Sequence, residues 1–133
     1  MKYLLDTNAC VNFLRDHNSR VGQKLRAVHS AEVVLCAVVK AELYYGVQRS
    51  SQPARNRAQL SDFFTNFGSV PFDDLAAETY GRIRVELARA GTPIGPNDLM
   101  IAAIALPHRL TLVTHNTDEF GRVAGLTLED WEA

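Results

Sequence analysis

The chain has 133 residues, 47% of them hydrophobic and 22% charged, with a formal net charge of −1 at pH 7. That length suits one core and is short for two, and the composition excludes a disordered, fibrous or disulfide-stapled protein. The near-neutral balance lacks the global basic footprint of nucleic-acid binders, so any contact with phosphates must come from local clusters at Arg15 to Arg26, Arg49 to Arg57 and Arg82 to Arg89.

Cys10 and Cys36 are each set in apolar sequence without disulfide or metal-binding spacing, and they read as small core residues of a reducing compartment. The start runs straight into Tyr3-Leu4-Leu5-Asp6, and no apolar run approaches the ~20 residues that span a membrane. A cytoplasmic protein is expected.

In chain order, the first candidate strand is Tyr3-Leu4-Leu5, followed by apolar residues at helical spacing over 9–16 and 20–29. Val33 to Cys36 is the second strand, with helical patterns over 38–50 and 54–66 that the break Ser50-Ser51-Gln52-Pro53 separates. Ser69 to Phe72 is the third strand, and Asp73 stands where a helix over 75–90 needs its N-cap. Gly91-Thr92-Pro93-Ile94-Gly95-Pro96 then forms a rigid entry to a helix over 97–106, and Leu110 to Thr114 is the fourth strand. Leu99 to Leu106 is apolar on every side, so this helix is expected to be central and buried. The alternation predicts an α/β fold with a mainly parallel sheet.

Acids fall where such a sheet binds its ligands. Asp6 directly follows the first strand, at the carboxyl edge, although Asp6 or Asn8 could equally cap the next helix. Glu42 lies about one turn into the helix after the second strand, where the helix dipole also favours an acid. Asp98 opens the most apolar helix and needs either cap contacts or a cation. After the fourth strand come His115, Asn116, Asp118 and Glu119; spacing alone does not choose between Asn116 and Glu119 as a fourth group. Carboxylates gathered at one edge raise one another's pKa unless a positive charge sits between them. An oxygen-only donor set selects Mg²⁺ or Mn²⁺ over zinc, and such ions suit phosphodiester hydrolysis.

The segments Leu4-Leu5-Asp6-Thr7-Asn8, Ala41-Glu42-Leu43-Tyr44-Tyr45-Gly46, Gly91 to Asp98 and Leu112 to Phe120 occur in an order and spacing that resemble the PIN-domain nucleases, and among them the VapC toxins; the closing Leu128-Glu129-Asp130-Trp131 is similar too. The resemblance implies an α/β/α sandwich, with Asp6, Glu42 and Asp98 as the acidic triad and Asp6 and Asp98 as ligands of Mg²⁺ or Mn²⁺. It further implies endonucleolytic cleavage of RNA, notably in a transfer RNA anticodon stem-loop, homodimerisation, for which Tyr44 and Tyr45 are candidate anchors, and inhibition by a VapB-like antitoxin. The chain departs from the family pattern at Asn116, where many members carry an aspartate, and at Cys36-Ala37, where many carry serine or threonine.

Three other readings compete. A haloacid-dehalogenase-like phosphatase requires an aspartate where this chain has Asn8. A PIN-derived or receiver-like module would hold a metal without catalysis, which the intact Asp6, Glu42 and Asp98 argue against. A housekeeping RNA-processing PIN protein would share the same chemistry.

Overall fold

Short, mostly apolar runs form the three central strands, and helices fill the intervals between strands. In the computed structural model, which describes residues 1–133, β1 (Tyr3–Leu5), β2 (Val33–Cys36), β3 (Gly68–Val70), β4 (Thr111–Val113) and β5 (Thr127–Glu129) make one sheet. Its order is β3-β2-β1-β4-β5, with every neighbouring pair parallel. Leu4 pairs with Val34 on one side and Leu112 on the other. β1, β2 and β4 are buried along their whole length, because helices cover both faces of a parallel sheet.

Those helices are α1 (Thr7–Arg15), α2 (Arg20–Ala27), α3 (Ala37–Gln48), α4 (Pro53–Phe64), α5 (Asp74–Arg89), α6 (Pro96–Ala105) and the short α7 (Thr117–Phe120). The architecture is a PIN-like α/β/α sandwich. One cluster of 30 buried hydrophobic residues draws on all three layers, so sheet and helices share a single core. Its centre is α6, where Leu99 and the run Ile101 to Ala105 are buried and the small alanines let the helix pack closely on α5. Cys10 and Cys36 are free and buried in the same core.

The chain runs from β1 out to β2 and β3, then returns through α5 and α6 to place β4 on the opposite side of β1. The crevice between the carboxyl ends of β1 and β4 is thus a topological switch point, where open α/β sheets bind ligands. Local signals fix the path. Asp73 caps α5 by accepting from Ala76 N at 3.0 Å. Gly91, at φ 71°, ends α5 while Thr92 N donates to Leu87 O at 3.0 Å and Gly91 N to Ala88 O at 3.1 Å. Only glycine adopts that left-handed conformation without strain.

Several boundaries differ from the sequence reading. The third strand is Gly68–Val70 and stops before Pro71, which has no N–H for the ladder. α1 begins at Thr7 rather than Ala9, because Asp6 is its cap. α7 and β5 are too short and too polar to leave a periodic signal.

Candidate active site at the carboxyl edge

Asp6 is the cap of α1 as well as a candidate site group. Its Oδ1 accepts from Ala9 N at 2.8 Å, and the residue is only 4% exposed. Burial pushes its carboxyl above the ordinary range, while hydrogen bonds from the Thr114 side chain and Ala9 N–H partly offset the rise. Asn8 does not cap α1; it is exposed in the first turn.

Glu42 stands in the second turn of α3, with both oxygens held from other elements. Thr7 Oγ1 donates to Oε1 at 2.5 Å and Asn97 Nδ2 to Oε2 at 3.3 Å. The first bond spans β1–α1 to α3, and the second reaches α3 from the start of α6. Residues immediately beside Asp6 and Asp98 therefore aim Glu42 at the same crevice.

Asp98 is not the cap of α6. Gly95 occupies that position, without a side-chain cap bond, and Pro96 opens the helix. Asp98 is half-buried on the first turn, and its carboxyl is pushed up to about 6, first by burial and then by the charges of Glu119, Glu42 and Asp6. Four acids from four segments thus act on one another across the crevice.

Both candidates for the fourth position stand here together. Asn116 Nδ2 donates to Glu119 Oε2 at 2.9 Å, and Thr114 Oγ1 holds the Asn116 N–H at 2.9 Å. Asp118 turns outward, with its side chain 93% exposed and 3.6 Å from Arg122.

Sequence reasoning missed two neighbouring acids. Asp130 Oδ2 lies 3.0 Å from His115 Nδ1 and raises its pKa, and Glu132 accepts from Asn12 Nδ2 at 3.1 Å. Burial disfavours the charge on Asp130, but the Glu132 N–H and His115 outweigh it and hold that carboxyl low. The ligand atoms of His115, Asp130 and Glu132 lie within 4.8 Å of one another, closer than any three of Asp6, Glu42, Asp98 and Glu119. The only advance signal was the polar tail around Trp131, whose buried ring packs edge-to-face on Tyr3 at 5.2 Å.

No Lys or Arg forms an ion pair with Asp6, Glu42, Asp98 or Glu119. Uncompensated carboxylates repel one another, and Asp98 is raised by burial first and then by the charges of Glu119, Glu42 and Asp6. The donor set is oxygen-only, so these residues fit a hard divalent cation.

The fold and the sequence are similar to those of known proteins. The PIN domain family model matches residues 3–126. The tRNA(fMet)-specific endonuclease VapC of Shigella flexneri is 39% identical over 131 residues, covering 98% of each chain. Ribonuclease VapC2 of Rickettsia felis is 36% identical, covering 99% of each. Among solved structures, DNA-bound VapBC from Salmonella typhimurium superposes with a TM-score of 0.93 at 37% identity, covering 98% of both chains. The chain therefore belongs to the PIN-domain family, among its VapC ribonucleases.

Proposed function

We propose that this protein is a magnesium-dependent endoribonuclease toxin that cuts a transfer RNA in its anticodon stem-loop, works in the cytoplasm as a homodimer, and is silenced by a VapB-like antitoxin. The observation that carries the catalytic reading is the convergence of Asp6, Glu42, Asp98 and Glu119 on the switch-point crevice, with Asp98 raised first by burial and then by the other three. Identity of 39% to a tRNA(fMet)-specific endonuclease supports the substrate, and the likeness to a VapBC complex supports the antitoxin.

Asp6 and Asp98 would hold the cation. When bound, a hard divalent ion supplies Lewis-acid stabilisation of phosphoryl charge and lowers the pKa of water. The protein's own groups do the positioning. Thr7 and Asn97 fix both oxygens of Glu42, which can then orient the attacking water and take up its proton. Asn116 fixes Glu119 in the same way. Tyr44 of α3 packs on Phe64 of α4, whereas Tyr45 is 64% exposed, with Arg49 over its ring at 5.2 Å, and would anchor a second copy.

Induced expression of wild type and Asp6→Asn in growing cells, with mapping of new RNA ends, tests this reading. Wild type should arrest growth and leave one or a few cuts in transfer RNA, and Asp6→Asn should do neither. Arrest without RNA cuts would refute it.

A further inference from the structure

Beside the acid group opens a second cavity of about 550 Å³, lined by Asn8, Asn12, Arg15, His115, Asn116 and Glu132 among others, with Val11 its only hydrophobic residue. Its volume is that of small-ligand pockets, but the walls are far more polar than most. It adjoins the catalytic crevice, since Asn8 lies two residues beyond Asp6 and Asn116 binds Glu119.

Hydrogen bonds link the walls to one another. Trp131 is buried and its Nε1 donates to Glu129 at 3.1 Å, which anchors the tail that carries Glu132. Glu132 N donates to Asp130 Oδ1 at 2.9 Å, and Asp130 pins the His115 ring. On the α1 side, Asn12 gives its Nδ2 to Glu132 while its Oδ1 is buried with no partner. The cavity thus presents the Glu132 carboxylate with lone pairs to spare and the His115 imidazole, with the Arg15 cation also on its wall and the buried Asn12 amide behind Glu132.

Such a lining suits a base better than a phosphate. Asp16 and Glu132 both line the cavity and would repel an anion buried in it. Guanine alone offers two adjacent N–H donors, N1–H and the 2-amino group, to a single carboxylate. Adenine and cytosine put an acceptor beside their amino group, and uracil flanks its one N–H with carbonyls. Unpaired RNA bases are commonly read on this edge and stacked on aromatic rings, histidine included.

We propose that this cavity receives an unpaired guanine of the RNA substrate next to the bond that is cut, with Glu132 reading its N1–H and 2-amino group, Asn12 supporting Glu132, His115 offering its ring, and Arg15 meeting the adjoining phosphate. This rests on the ribonuclease reading above.

RNA stem-loops carrying inosine, which lacks the 2-amino group, in place of single loop guanines provide the test. For wild type, inosine at one position beside the cut should lower kcat/KM by about tenfold or more, as expected for a lost hydrogen bond to a charged group. Glu132→Gln should make guanine and inosine equivalent there, and Asn12→Ala should narrow the gap. Unchanged kcat/KM with inosine at every loop position, or the full inosine penalty retained in Glu132→Gln, would overturn the proposal. A base-independent loss of antitoxin binding in Glu132→Gln would overturn it too, marking the cavity as a protein contact. Nuclear magnetic resonance with 5′-GMP and 5′-IMP needs no cleavage. Selective shifts of the Asn12 side-chain amide by 5′-GMP support the pocket even if no RNA is cut, and equal or absent shifts contradict it.

Discussion

Asn116 Nδ2 donates to Glu119 Oε2 at 2.9 Å, which makes the two candidates for the fourth acid position partners rather than alternatives. The carboxylate belongs to Glu119, and the amide steers it without adding charge. Glu119→Gln should lower RNA cleavage by about 10²-fold, and Asn116→Ala by about tenfold. Asn116→Asp sets a second negative charge against Glu119, so its activity should fall most at low Mg²⁺ and recover as Mg²⁺ rises. An Asn116→Asp enzyme with the wild-type Mg²⁺ dependence would contradict this arrangement.

The 2.5 Å bond from Thr7 to Glu42 ties the start of α1 to α3. Thr7→Val keeps the side-chain shape and removes the donor, leaving Glu42 held by Asn97 alone. We expect kcat for RNA cleavage to fall by about tenfold with KM little changed, and Thr7→Ser to restore it. A fall confined to KM would mean that Thr7 serves binding rather than the orientation of Glu42.

Much of this was legible in the sequence. Asp6, Glu42 and Asp98 follow buried strands or open a buried helix, where apolar runs and turn residues mark position clearly. Tyr44 and Asp118 show where pattern runs out: one packs on Phe64 and the other faces solvent, although their neighbours Tyr45 and Glu119 do the opposite. Adjacent residues on a helix differ by about 100° of rotation, and composition does not supply the phase. The His115, Asp130 and Glu132 grouping depends on β5 pairing with β4, a contact between distant segments that a three-residue strand with exposed ends hardly announces.

Gly22 tests the packing that supports α1. A methyl group placed there would sit 2.1 Å from the carbonyl oxygen of His17, a backbone atom that cannot swing aside. Gly22→Ala should therefore destabilise the fold by about 1–3 kcal/mol despite alanine's better helix propensity. Urea unfolding measures this, and a stabilised variant would show that the turn between α1 and α2 yields freely.

Asp98 gives the metal-free protein a definite pH dependence. Its folded-state carboxyl, at about 6 against an ordinary 3.8, binds its proton more tightly than in the unfolded chain. The folded state therefore holds the extra proton between those values, and stability falls as pH rises from about 4 to about 6. At pH 7.5 with chelator present, Asp98→Asn should be more stable than wild type by about 1–2 kcal/mol after solvent screening, and the gain should vanish near pH 4. Thermal melts across that range, with and without Mg²⁺, check it. Equal stability at both pH values would remove the uncompensated charge from the explanation.

The most direct measurement is cleavage of purified initiator transfer RNA by wild-type and Asp98→Asn protein across a Mg²⁺ titration, with the product ends mapped. Wild type should require Mg²⁺ and produce one defined cut in the anticodon stem-loop. Asp98→Asn should fold and lose at least about 10²-fold in rate, because an amide matches the carboxylate in shape but is a poorer ligand for a hard cation. Cleavage by Asp98→Asn at the wild-type rate and without Mg²⁺ would contradict the assignment of catalysis to the acid group between β1 and β4.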